Sequence, residues 1–383
     1  MTDLYFFFAY WQKNIIFTKF MSKYNTLKRR KFINNIFISS LGLSSISLTN
    51  PYLKLTDFPY KLSLAQFSLY PLMMSNKDFD PYNFAKVSYD LGFEGLEYLA
   101  IMYKGGFYNS DNKFGLKEAK KMAQESKMRS DDLGLKNLLI MVDGEGNLAN
   151  KDRNFNSMSV SNHKKWIDCA SEMGCHSIRV NLDSDGTLDD WTNNSIESLN
   201  KLCEYAKPLN VNVIVENHTT YTANGISYAA NADYIINVLD KVEYDNVGTL
   251  PDFGNWCESF KSKRGRRSRE EIESLINGNS VDKVKKTNSS YYNSCEKYND
   301  MYNGINKLLP YAKGLSAKIT GFDENGDDLD IDYSKMLDVV RKSNYNGYIG
   351  IEQQSFIDNP GLDPIEAIKM AKKLIYKSWS NIS

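Results

Sequence analysis

From residue 59 onward, short apolar runs alternate with longer polar stretches. The runs at 62–67 (LSLAQF), 95–99 (GLEYL), 137–142 (NLLIMV), 177–182 (SIRVNL), 211–216 (VNVIVE), 247–252 (VGTLPD), 315–319 (LSAKI) and 348–352 (YIGIE) read as eight strands. Between them, segments such as 163–173, 196–209 and 230–242 carry apolar residues at helical spacing, and glycine closes several, as in Leu91-Gly92 and Met173-Gly174. Near-continuous apolar strands that alternate with helices predict a parallel sheet covered on both faces. Eight such units predict an α/β fold of the (β/α)8 barrel type, for which ~250 residues is typical before insertions. A doubly wound open sheet is the alternative, but no G-x-G-x-x-G or P-loop follows the first strand.

Two segments break the rhythm. Residues 257–305 carry a basic run, Lys261 to Arg269, then Glu270-Glu271 and Tyr291, Tyr292 and Tyr298, and read as an insertion-bearing loop after the sixth strand. Such a run is more often a solvated loop than a polyanion site. Residues 1–55 form an N-terminal extension, followed by the barrel over 56–383. Within the extension, 1–20 holds two apolar runs broken by Gln12 and Lys13, and so does not predict a stable membrane span. Lys28-Arg29-Arg30-Lys31-Phe32 precedes a Ser-rich apolar run, the pattern of a twin-arginine export signal. The expectation is export to the periplasm, the alternative being a cytoplasmic protein with a basic tail. The true start is either Met1 or Met21.

Composition narrows the function classes. The chain of 383 residues balances 47 Lys+Arg against 47 Asp+Glu, with 42% hydrophobic and 25% charged residues. That balance argues against disorder and against a protein built to neutralise nucleic-acid phosphates. Only His163, His176 and His218 occur, which nearly excludes a site built from clustered imidazoles. Five cysteines form no C-x-x-C pair, and Cys257 with Cys295 is the only couple worth suspecting of a bond.

Candidate chemistry gathers at the strand ends. Glu216, Asp252 and Glu352 end the fifth, sixth and eighth apolar runs. The C-terminal strand ends of a barrel form its active-site face, so these carboxylates would converge. Burying them together is costly unless a cation compensates, and an oxygen-rich set of this kind suits Mg2+ or Mn2+. Helix capping or pairing with lysine would explain one such acid more easily than three at matching positions. Around them, Glu216 and His218 share a face if the strand continues, as do Ser316 and Lys318, and Arg179 and Asn181. Asp252-Phe253-Gly254-Asn255 offers a carboxylate and an amide within one turn, and Gln66 and Glu97 stand near the ends of the first two strands. Together they describe a polar, sugar-like pocket.

The segments 137–148 (NLLIMVDGEGNL), 162–181, 215–218 (VENH), 248–256 (GTLPDFGNW), 311–318 (YAKGLSAK), 322–327 (FDENGD) and 345–352 (YNGYIGIE) resemble the sugar phosphate isomerase/epimerase proteins of the xylose-isomerase-like TIM-barrel superfamily. The resemblance covers about residues 60–378. It implies a metal-dependent aldose–ketose isomerase or epimerase. Glu216, Asp252 and Glu352 match three of the superfamily's four metal-ligand positions. The fourth usually comes from the seventh strand as histidine, but here that strand reads Leu315-Ser316-Ala317-Lys318, and Asn255 stands where many members have another histidine. His218 could supply the missing imidazole, or Lys318 could place an ammonium near the carboxylates and lower the need for a metal.

The expected reaction is metal-assisted proton transfer next to a carbonyl of a small sugar. Glu216 and Glu352 act as base and acid from opposite sides of the mouth, a cation stabilises the enediolate, and Gln66, Glu97, Arg179, Asn181, His218, Asn255 and Lys318 contact the substrate. A lyase or hydrolase cleaving oxidised 3-keto-glycosides, or a non-catalytic sugar-binding barrel, would use the same scaffold. No nucleic-acid partner is expected, and assembly into a homo-oligomer is left open.

Overall fold

The computed structural model describes residues 58–75, 79–105, 114–183, 186–218, 228–256, 300–355, 359 and 361–382. The chain divides into two units. One comprises residues 1–58, 71–79 and 267–287, and of its described residues 71–75 are helical. The other holds the apolar runs described above.

In that second unit the runs form strands β1 (Lys61–Ala65), β2 (Gly95–Leu99), β3 (Lys136–Met141), β4 (Ser177–Val180), β5 (Asn212–Glu216), β6 (Val247–Leu250), β7 (Leu315–Ile319) and β8 (Tyr348–Gln353). All pair in parallel, in the order β6-β5-β4-β3-β2-β1-β8-β7. The two ends of that order, β6 and β7, meet through bridges at Thr249–Ala312 and Asp252–Ser316, with backbone bonds Lys313 N–H to Thr249 O, Ser316 N–H to Pro251 O and Phe253 N–H to Ser316 O, each 2.9 Å. These contacts close the sheet into a (β/α)8 barrel.

Besides further short helices at Tyr70–Ser75 and Ala100–Tyr103, each strand is followed by a helix that flanks the sheet: α1 (Phe84–Asp90), α2 (Leu116–Asp132), α3 (Arg153–Met173), α4 (Leu188–Ala206), α5 (Ala232–Leu239), α6 (Met301–Leu308), α7 (Tyr333–Arg341) and α8 (Pro364–Ser380). Each packs on the next around the ring. Their starts are written locally. Asp152, Thr187, Asn231, Asp300, Asp332 and Asp363 each accept a backbone N–H of the first turn, satisfying donors a helix start leaves open. The inner faces of the helices and the outer faces of the strands bury Leu, Ile, Val and Trp. Among the described residues, no helix is long and apolar enough to cross a membrane.

Three strands, β1, β4 and β6, end two residues before the apolar pattern does, and at β1 and β6 a side-chain amide takes over the ladder. After Ala65 the chain turns into a 3-10 segment, Gln66–Leu69, and Gln66 Oε1 accepts the Leu99 N–H of β2 at 2.9 Å. After Leu250, Pro251 has no N–H to donate. There the buried Asn217 side chain reaches across from β5, donating to Asp252 O at 2.9 Å and accepting Asp252 N–H at 2.7 Å. β4 ends at Val180, and α3 and α4 begin at Arg153 and Leu188, earlier than the periodic residues alone mark, because their first turns are polar. The described chain resumes at Asp300, which caps α6, so 301–305 are helical rather than loop. The extension 1–55, the basic run and the Cys257/Cys295 couple lie outside the described residues.

Helix α6 comes close to the barrel through Gly304. A Cβ there would stand 2.6 Å from Trp256 Cζ3, and that indole is fully buried with no free end to swing away. Overpacking of this kind costs about 1–3 kcal/mol, more than the roughly 1 kcal/mol of helix propensity that alanine brings. Gly304→Ala is therefore expected to lower the thermal midpoint, and a midpoint at or above wild type would show that the helix seat is looser than the structure has it.

Candidate active site

The C-terminal strand ends bring Glu216 (β5), Asp252 (after β6) and Glu352 (β8) together, all buried, with one carboxylate oxygen from each lying within 4.8 Å of the others. Strand pairing places Lys318 of β7 in register with Glu352. Lys318 Nζ lies 2.8 Å from Glu352 Oε1 and 3.4 Å from Asp252 Oδ2, and it donates to Asn255 Oδ1 at 3.0 Å. Arg179 of β4 sets its Nε 2.8 Å from Glu216 Oε2 and donates from Nη1 to Asp143 Oδ1 at 2.7 Å. Asn255 Nδ2 donates to Glu216 Oε1 at 2.9 Å, and Asn181 Nδ2 to Asp143 Oδ1 at 2.9 Å. Asp252 accepts Ser316 Oγ–H at 2.6 Å on one oxygen and the backbone N–H groups of Gly254 and Asn255, each at 2.8 Å, on the other.

Charge compensation decides the state of each group. Burial pushes Asp252 up to about 6 against the pull of Lys318. Burial raises Glu216 and Glu352 too, opposed by Arg179 at the first and by Lys318 at the second. Burial would depress Lys318, but Asp252, Glu352 and Glu216 outweigh it and hold the ammonium charged. Asp143 would also rise on burial, yet the Arg179 guanidinium keeps it below the usual carboxylate range.

Glu97 differs in having no cation against it. Its Oε1 accepts Ser63 Oγ–H at 2.6 Å, and its buried Oε2 has no hydrogen-bond partner. The carboxyl group fills the space over Gly350 of β8, where any Cβ would overlap it. Burial, reinforced by the charges of Glu352 and Glu216, pushes Glu97 up to about 8, so at neutral pH this acid keeps its proton.

Of the residues singled out in the sequence, Glu216, Asp252, Glu352, Lys318, Asn255, Arg179 and Asn181 form one connected network. Asn255 spends both ends of its amide inside it, bridging Glu216 and Lys318. Gln66 has its polar atoms taken up structurally, by Leu99 N–H, Pro81 O and Tyr103 OH. β5 ends at Glu216, and His218 is not part of the carboxylate group, although its charge reaches Asp143. Asp143 itself, Asn217 and Ser63 escape the sequence reading. Asp143 carries the same signal as the others, an acid that directly follows the apolar run LLIMV. Nothing in the sequence marks Asn217 or Ser63.

Three converging carboxylates make an oxygen-rich set that suits a hard divalent cation. Four acids, Asp143, Glu216, Asp252 and Glu352, share two cations, Arg179 and Lys318. The donor types suit such an ion, while Lys318 and Arg179 already stand against these carboxylates.

A (β/α)8 barrel with acids at its fifth, sixth and eighth strand ends belongs to a recognisable class. The family profile of xylose isomerase-like TIM barrels matches residues 85–374, and the chain belongs to that family. No curated protein sequence matches it significantly. Among solved structures the chain is similar to an L-ribulose 3-epimerase, at 14% identity and TM-score 0.54, covering 84% of this chain and 95% of that one. It is similar to a 3-keto-D-glucoside 4-epimerase from E. coli, at 14% and 0.53, covering 83% and 99%. It is also similar to a family 2 AP endonuclease from Brucella melitensis, at 13% and 0.53, covering 81% and 96%. At these identities the likeness is one of fold.

The protonated state of Glu97 has a thermodynamic signature. Between its ordinary value of 4.5 and about 8, the folded carboxyl holds a proton that the unfolded chain has released. Its contribution to stability is therefore complete below 4.5 and is lost as pH rises toward 8. Glu97→Gln keeps the shape without the titration. Between about pH 5 and 8, the wild-type thermal midpoint is expected to fall relative to the variant's. Parallel curves would mean that Glu97 is ionised throughout.

Proposed function

We propose that this barrel is a sugar isomerase or epimerase that moves a proton at a carbon next to a carbonyl. The observation that carries this reading is the meeting of Glu216 and Glu352, buried carboxylates from strands three apart in the sheet, within 4.8 Å of each other and each held by its own cation. Asn255 donates to Glu216 Oε1 and Arg179 Nε stands 2.8 Å from Oε2 as an ion pair, which orients the carboxyl group for the role of base. Glu352 shares its environment with Lys318 and takes the acid role on return of the proton. Lys318 and Arg179 place fixed positive charge where an enediolate develops, in a site shielded from water, where such charge is most effective.

Glu216, Asp252 and Glu352 would hold a divalent cation, Mn2+ or Mg2+, which when bound supplies Lewis-acid polarisation of the carbonyl. Asp143 and Asn181 stand at the partly exposed side of the network and accept or donate to substrate hydroxyls. The solved epimerases on the same fold support a small carbohydrate as substrate. The arginine pair near the N-terminus supports export as the protein's route.

The test is solvent-deuterium incorporation into a panel of free ketoses and 3-keto-glycosides. Glu216→Gln and Glu352→Gln are each expected to slow exchange by about 10²–10⁴-fold, the usual share of general acid–base catalysis. Full exchange in both variants, or none in the wild type across the panel, would sink the two-glutamate scheme.

A further inference from the structure

We propose that Lys318 is the resident cation of the carboxylate triad and competes with a divalent metal for it, so that this barrel binds metal weakly. The proposal rests on the reading of the triad given above and concerns what fills it.

Lys318 is buried on β7, and its ammonium has three protons and three oxygens around it. These are Glu352 Oε1 at 2.8 Å, Asn255 Oδ1 at 3.0 Å and Asp252 Oδ2 at 3.4 Å. An ammonium has no further donor to place, so nothing favours its leaving. A metal ion bound to the same carboxylates at about 2.0–2.6 Å would stand next to this charge in a buried site, where like charges repel strongly.

Asp252 and Glu216 have further partners as well. Asp252 Oδ2 takes the Ser316 hydroxyl and its Oδ1 takes two backbone N–H groups. Glu216 accepts Asn255 Nδ2 on Oε1, and its Oε2, without a hydrogen bond, is neutralised by Arg179 Nε at 2.8 Å. β7 offers Ser316 beside Asp252, and that hydroxyl already donates to the carboxylate at 2.6 Å. A metal would therefore have to displace the lysine from two carboxylates and break or share most of the other bonds. Among the described residues, no histidine joins the carboxylate group to compensate.

The experiment is a Mn2+ titration of full-length, chelator-treated protein, with free Mn2+ read by its electron paramagnetic resonance signal. The wild type is expected to show no site tighter than the millimolar range. Lys318→Met is expected to gain one site per chain at least about tenfold tighter, while Lys318→Arg, which keeps the charge, stays weak. One micromolar site per chain in the wild type would overturn the proposal, as would a folded Lys318→Met protein that binds no more tightly. If Lys318→Met does not fold alone, Mn2+ should restore its native circular dichroism, and failure to do so also counts against the proposal. Deuterium exchange by the chelator-treated wild type is read separately: its absence alongside the expected titration would count against the isomerase reading while leaving the lysine assignment standing.

Discussion

Gathering carboxylates in the mouth of a barrel is opposed by two effects at once, since each loses hydration and each repels the others. Everything distinctive about this molecule's upper face follows from how that cost is offset. Two cations, Arg179 and Lys318, come from β4 and β7 and stand on either side of the acids, with Asn255 spanning the gap between them. The compensation is uneven. The Arg179 guanidinium holds Asp143 below the usual carboxylate range, burial raises Glu216, Asp252 and Glu352 against the pull of Arg179 and Lys318, and Glu97, with no ion pair among the described residues, is pushed up to about 8.

The same residues hold the barrel shut. β6 and β7 meet through a few bridges rather than a full ladder, and one of these joins Asp252 to Ser316. Pro251 interrupts the sheet just before Asp252, and the Asn217 side chain restores the missing pairing from β5. Gln66 does similar work between β1 and β2. Polar side chains that would ordinarily be candidates for substrate contact are thus occupied by the backbone. A change at the site is a change at the seam, so stability and function are not separable there as they are in barrels whose ladder runs unbroken.

This sharing also shapes the chemistry. In the proposed reaction the base must be oriented, and Asn255 and Arg179 fix the position of Glu216. The charges that make the acids tolerable in the ground state would be the ones that meet a developing enediolate. Family membership supplies the scaffold. Lys318 on β7 and Arg179 on β4, with Asn255 between them, decide how the scaffold is charged here.

The strand–helix alternation was legible in the sequence because a parallel strand buried on both faces must be apolar along its length, and a barrel repeats that demand eight times. The starts of α3 and α4 were not read, because their first turns are polar and only the caps Asp152 and Thr187 mark them. Glu216, Asp252 and Glu352 were legible because an acid that ends an apolar strand stands out, and by the same rule Asp143 could have been read. What the sequence could not carry was pairing. That Lys318 faces Glu352 and Asp252, that Asn217 pairs with both backbone groups of Asp252, and that Glu97 lies over Gly350 all depend on register between strands distant in the chain. Composition along one strand says which residues are polar. Only the closed barrel decides which of them meet, and so which carry charge and which are spent on holding the sheet together.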